Sequence, residues 1–102
     1  MTKEENKMSA YLIGNIDIHD ASAIAEYRCQ ALPLVEKFGG KALVIDAAAV
    51  RFEGSWSPRN IILLEFPSVS AIQRLFASPE YAPLAAMRQA NAYSDLVAFG
   101  TD

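Results

Sequence analysis

A chain of 102 residues holds one modest hydrophobic core and buries about two thirds of the surface that its unfolded form exposes. It is 52% hydrophobic and 21% charged, with a mean hydropathy of +0.12, which is apolar for so short a chain and points to a subunit interface. A formal net charge of -3 with no cluster of Lys and Arg argues against nucleic-acid and anionic-membrane partners.

Residues 1–9 contain the mixed charge run Lys3-Glu4-Glu5-Asn6-Lys7 and read as a disordered, solvated tail, leaving residues 10–102 as a single domain. Met1 to Ser9 has no apolar run of the kind a secretory signal needs, and no stretch approaches the ~20 apolar residues that span a bilayer. The expected location is the cytoplasm. A lone cysteine, Cys29, fits a reducing compartment, and its place in a helical pattern predicts a small buried apolar residue rather than a reactive thiol.

From Ala10 to Ile18 the residues alternate, with Leu12, Gly14, Ile16 and Ile18 on one face of a strand and Tyr11, Ile13, Asn15 and Asp17 on the other. Asp20 is the natural N-cap of a helix running to Phe38, with Pro33 expected to kink it near Gln30 to Leu32. Gly39-Gly40 ends that helix, since glycine accepts the left-handed turn other residues resist. Lys41 to Asp46 reads as a strand, and Val50 to Glu53 as its continuation or a hairpin arm after Ala47-Ala48-Ala49. Ser55 to Asn60 is a turn, and Ile61 to Phe66 a central strand by its continuous apolar character.

Pro67-Ser68 starts a second helix carrying Ala71, Ile72, Leu75 and Phe76, and Ser78-Pro79-Glu80 restarts a helix with Tyr81, Leu84, Ala85, Arg88 and Ala92 in register. Asp95 to Gly100 closes the chain as a strand. The order β-α-β-β-α-β predicts an α+β, ferredoxin-like fold, an antiparallel sheet with helices on one face. The uncovered face is most simply buried against a second copy in a homodimer.

Several segments also carry a family likeness: Tyr27 and Pro33, Phe38-Gly39-Gly40-Lys41, Glu53-Gly54-Ser55-Trp56-Ser57-Pro58-Arg59, Leu64-Glu65-Phe66-Pro67-Ser68, Ser78-Pro79-Glu80-Tyr81 and Arg88. With these the chain resembles the domain of unknown function 1330 family, within the dimeric α/β-barrel superfamily, over most of Tyr11 to Gly100. It departs from the pattern at Asp46 to Ala49, where a more glycine-rich turn is expected. The resemblance implies a ferredoxin-like subunit dimerised through sheets packed into a shared barrel, and no established reaction. Similar subunits in the superfamily include cofactor-independent oxygenases, small-lactone isomerases, haem-handling enzymes and proteins with no known activity, so the fold does not choose among them.

Glu65 is the leading candidate residue, because a carboxylate inside an apolar strand costs several kcal/mol to desolvate unless it is paired or protonated. It reads as the ion-pair partner of Arg59 or Arg88, as a pocket carboxylate able to move a proton, or as a solvent-facing residue at a sheet edge. Trp56 reads as a pocket wall or as simple packing, and Arg59 as a carboxylate clamp or a partner of Glu53. Tyr27, Tyr81 and Arg88 have apolar bodies with polar tips and line pockets as readily as they finish a core. His19, the sole histidine, is a surface or capping residue at a strand end, a general base or, least expected, a haem ligand.

No zinc-ligand spacing, Gly-rich phosphate loop or nucleophile elbow is present, so neither metal nor cofactor is expected. Two functions follow. One is a cofactor-independent enzyme performing proton transfer, isomerisation or oxygenation on a small carboxylated or carbonyl compound, with Glu65 or His19 as base and Arg59 or Arg88 as anchor. The other is a non-catalytic homodimer that binds a metabolite or serves as an interaction module. A cavity reaching Glu65 favours the first, and a filled interior with Glu65 in an ion pair the second.

Overall fold

Strict alternation governs the first strand, β1 (Ala10–Ile18), in the computed structural model, which describes residues 9–102. The expected tail lies, apart from Ser9, outside the described residues, and the Ser9 carbonyl accepts from the Thr101 amide at 2.8 Å. Ala10, Leu12, Gly14 and Ile16 are buried, while the odd positions point to the opposite face and stay half-exposed. After it come α1 (Ala21–Lys37), β2 (Lys41–Ala47), β3 (Ile61–Phe66), α2 (Val69–Ala77), α3 (Ala82–Asn91) and β4 (Ala92–Gly100). The sheet runs β2-β3-β1-β4 with every neighbouring pair antiparallel, the ferredoxin-like order.

Asp20 caps α1 as the sequence predicts, its carboxylate accepting from the Ala23 amide at 3.1 Å. The expected kink does not interrupt the helix, which is continuous across the exposed Pro33. Gly39 turns the chain at φ 89°, and Gly40 lies so close under the Phe66 ring that a Cβ there would come within 2.6 Å of it. The helices cover one sheet face, where Phe66, Ile24 and Leu75 are the largest fully buried side chains. Each such side chain contributes roughly 1.5–3 kcal/mol by leaving water. The molecule is 17 Å thick in its thinnest direction, which accommodates one sheet and one helix layer.

Three sequence expectations are corrected. Val50 to Glu53 forms no strand: residues 48–60 are irregular, and Phe52, at 95% exposure, packs on nothing. The cause lies in β2, whose register against β3 shifts twice before Ala47, so its ladder ends there. Cys29 is exposed, because Ile24, Ala31 and Val35 fix the buried stripe of α1 and Cys29 falls on the far side. β4 begins at Ala92 rather than Asp95, since Ala92 pairs with Ile18 and turns toward the core, a position equally compatible with one more helical turn in the sequence pattern.

Candidate functional site

Apolar side chains from both layers leave a cavity of about 60 Å³ between α1, α2, α3 and the covered sheet face. Leu12, Ile16, Ile24, Ile62, Leu64 and Leu75 form most of its wall. Four polar-tipped residues interrupt that wall, one of them Arg28, whose guanidinium is taken up by Asp46. Tyr27 projects from α1, Tyr81 caps the start of α3, and Arg88 lies two turns further along α3. The Tyr27 and Tyr81 hydroxyls share a hydrogen bond at 2.7 Å, their rings meet edge to face at 6.5 Å, and Phe76 packs on Tyr81 at 5.1 Å. Packing of α1 against α3 joins residues 54 positions apart, which no local sequence spacing announces.

Arg88 is only 7% exposed, and its buried Nε has no hydrogen-bond partner among the described residues. Burial acts to lower its pKa, but the Tyr81 and Tyr27 hydroxyls outweigh that and leave it above its ordinary value. Tyr27 is raised well above the usual phenol range, first by burial and then by Tyr81, with Arg88 opposing. The group is therefore two phenol hydroxyls beside one guanidinium: donors for an oxygen atom, surrounded by hydrocarbon.

Glu65 is elsewhere. Alternation along β3 turns it away from Leu64 onto the open sheet face, so it does not reach this cavity and does not meet Arg88. Its partners are Tyr11, whose hydroxyl donates to Oε2 at 3.1 Å, and Lys41, with Nζ 4.0 Å from Oε1. All three residues belong to one cross-strand row, Lys41–Glu65–Tyr11–Phe99. The arginine pairing expected from the sequence is corrected on both counts, since it overlooked that the register brings Tyr11 directly opposite. Glu65 also borders an open cleft of about 380 Å³ at the sheet edge with Lys41, Gly39 and Pro67.

Arg59 is exposed at the other end of the open face, 3.8 Å from Asp17 rather than beside Glu53, and Trp56 is exposed on the irregular loop away from the cavity. That loop returns to the sheet where Asn15 Oδ1 accepts from the Arg59 and Asn60 amides at 2.8 and 2.9 Å. His19 is exposed beyond the end of β1, its amide donating to the Asn91 carbonyl. The structure thus brings together Tyr27, Tyr81 and Arg88 and leaves Glu65, His19, Trp56 and Arg59 apart. Tyr11 and Lys41 went unnoticed as partners of Glu65, although the odd-position alternation of β1 already put Tyr11 on the face opposite the core.

The departure from the family pattern at Asp46 also has a structural reading. Asp46 takes φ 59°, the left-handed conformation glycine would supply, and aspartate tolerates it better than most residues. Its carboxylate is held by Arg28 of α1, with Nη2 at 2.8 Å, and by Asn60 Nδ2 at 2.7 Å. Those contacts, Arg28 foremost, keep its carboxyl below the ordinary value.

The model of the family described as domain of unknown function DUF1330 matches residues 9–101. None of the curated proteins matches the chain. Among solved structures, it is similar to a protein of unknown function from Rhodopseudomonas palustris, with a TM-score of 0.74 at 21% identity over 97% of this chain and 92% of that one. It is also similar to SnoaB, a cofactor-independent oxygenase from Streptomyces nogalater, with a TM-score of 0.65 at 11% identity, covering 93% of this chain and 94% of that one. A third is a dimeric protein of unknown function with a ferredoxin-like fold from Bacteroides fragilis, with a TM-score of 0.57 at 11% identity and coverages of 90% and 95%. At these identities the likeness establishes the fold and leaves the chemistry to the residues of this chain.

Proposed function

Because the chain belongs to the DUF1330 family, whose description assigns no activity, we propose a function from its own residues: a homodimer, each subunit of which binds a small carbonyl or carboxylated molecule between helices and sheet. The observation that carries this reading is the cavity of about 60 Å³ in which Tyr27, Tyr81 and Arg88 converge on an otherwise apolar wall. A single free cysteine supports a reducing, cytoplasmic location, and no helix among the described residues is long and apolar enough to cross a membrane.

The homodimer is supported by the open sheet face. Val44, Leu63, Ile13 and Val97 form an apolar row across all four strands, with Val97 63% and Phe99 53% exposed. So broad an apolar face on so small a subunit calls for a cover, and the Bacteroides fragilis protein of like fold is described as dimeric. Light scattering on the purified chain should give twice 11.1 kDa; a single-chain mass at micromolar concentration overturns this part.

Ligand binding is tested by a thermal-shift screen of small carbonyl and carboxylated compounds against the wild type and Ala31→Leu, which fills the cavity from α1. Stabilising compounds should lose their effect in the variant. Compounds that stabilise both proteins equally bind somewhere else and overturn the assignment.

A second reading, catalysis by hydrogen-bond polarisation of a bound carbonyl, rests on the Tyr27–Tyr81 hydrogen bond. Burial raises the Tyr27 pKa and so keeps its hydroxyl protonated, as a hydrogen-bond donor that polarises a carbonyl oxygen rather than as a base that abstracts a proton. Tyr27→Phe should abolish turnover of any substrate found while retaining its binding. Glu65 and His19, apart from the cavity, take no step in this reading.

A further inference from the structure

A buried guanidinium facing no carboxylate is the least explained charge in the molecule. Among the described residues the ion pairs are Arg28–Asp46, Lys37–Glu80, Lys41–Glu65 and Arg59–Asp17, and Arg88 enters none of them. Arginine is almost never fully buried unless it is paired, because removing a cation from water costs several kcal/mol. The Tyr27 and Tyr81 hydroxyls favour its charged form, but they are not carboxylates, and no anionic side chain among the described residues pairs with it. Its Nε donor is buried with no acceptor among the described residues.

We propose that the cavity takes a short aliphatic monocarboxylate whose two oxygens lie against the Arg88 guanidinium and the Tyr81 and Tyr27 hydroxyls, with its alkyl tail among Leu12, Ile24 and Leu75. The proposal rests on the reading of this cavity as a small-molecule site and narrows its ligand to an anion. Three features select the class. The planar fork of arginine matches a carboxylate through two parallel hydrogen bonds, and the phenols supply further donors to the same oxygens. Arg28, which also borders the cavity, is neutralised by Asp46, so one unpaired guanidinium in a largely hydrocarbon wall suits one negative charge with an apolar tail, whereas an inorganic phosphate would bring more charge than the wall can solvate. The volume of about 60 Å³ admits a chain of a few carbons and excludes a fatty acid or an aromatic polycycle.

The test is isothermal titration of the full chain, in a carboxylate-free buffer, with acetate, propionate and butyrate, and separately with propionamide and inorganic phosphate. Propionate or butyrate should bind saturably and about tenfold or more tighter than propionamide, with phosphate weaker than both, since a hydrogen bond to a charged group outweighs a neutral one by about that factor. Arg88→Gln should remove the preference for carboxylate over amide, and Ala31→Leu should remove binding of both. Should Arg88→Gln fail to fold, Arg88→Lys keeps the charge without the fork and should bind propionate more weakly than the wild type, with the preference over amide retained.

Equal affinity for propionate and propionamide, lost in Ala31→Leu, overturns the anion and leaves the cavity reading standing. Carboxylate binding that survives Ala31→Leu and Arg88→Gln unchanged overturns both. No binding of any of these probes, with neutral carbonyl compounds still stabilising the wild type alone, overturns the anion only.

Discussion

The two faces of one sheet do different work, and adjacent residues show it most clearly. Leu64 turns into the layer beneath the helices, where it borders the cavity, while Leu63, one residue earlier, turns into the open apolar row with Ile13, Val97 and Val44. Each face also carries a charge. Arg88, on the covered side, has no anionic partner among the described residues and sits in a cavity; Glu65, on the open side, is answered by Tyr11 and Lys41 at the sheet surface. The carboxylate that stands out in the sequence is therefore already accommodated by its own sheet, and the arginine that looks ordinary in a helix is the one left open.

Opposed substitutions in β3 test the contrast most strongly. Leu64→Ala should cost about 2–5 kcal/mol in denaturant unfolding, as truncation of a buried leucine does in a packed core. Leu63→Asp should leave the subunit folded and reduce the mass in light scattering to one chain, since a charge in the centre of the open row cannot be buried against a second copy. If Leu63→Asp unfolds the chain as Leu64→Ala does, the faces are not energetically separate.

The glycine pair beneath the covered face comes next. Gly40→Ala drives a Cβ to within 2.6 Å of Phe66 and 2.8 Å of Val35, an overpacking expected to cost about 1–3 kcal/mol. Gly39→Ala meets Pro67 only at 3.0 Å, and its cost of about 1 kcal/mol comes chiefly from φ 89°. Denaturant midpoints should fall in that order. Equal midpoints for both variants and the wild type would show that this corner relaxes freely.

Smaller still is Glu65→Gln, which keeps an acceptor for the Tyr11 hydroxyl but loses the attraction of a Lys41 ammonium 4.0 Å away. A cost below about 1 kcal/mol is expected for a long contact whose lysine is 69% exposed. Binding in the cavity should be unchanged, because the carboxylate is on the other face. Loss of ligand binding or of turnover in this variant would join the two faces functionally and restore Glu65 as a working acid or base.

Much of this division was legible in the sequence. The period-two pattern of Ala10–Ile18 separates covered from open positions by itself, and the spacing of Tyr81, Leu84 and Arg88 puts two polar-tipped residues along one side of the last helix. The contacts between elements were not legible. Tyr11 meets Glu65, and Tyr27 meets Tyr81, across 54 residues in each case, through sheet register and helix packing that local periodicity does not encode. Trp56 and Arg59 misled for the complementary reason: nearness to Glu65 along the chain is undone by the ladder ending at Ala47, which leaves residues 48–60 outside the sheet.

The least effect is expected at the edge strand β2, where Asp46 ties Arg28 of α1 to the start of the irregular loop. Arg28, assisted by Asn60, holds the Asp46 carboxyl below its ordinary value in the folded chain, with burial opposing. A group whose folded pKa is depressed contributes stability in full above its unfolded pKa, about 3.9, and loses it as pH falls through the folded value, because the unfolded chain binds the proton first. Asp46→Asn removes that dependence without disturbing the backbone, since asparagine also tolerates φ 59°. Urea midpoints taken at pH 7 and pH 3 should fall less for the variant than for the wild type, by under about 1 kcal/mol because the carboxylate is 41% exposed. An identical fall in both proteins would mean that the pair holds no net charge energy, and that the left-handed turn at Asp46 rests on the conformational tolerance of aspartate alone.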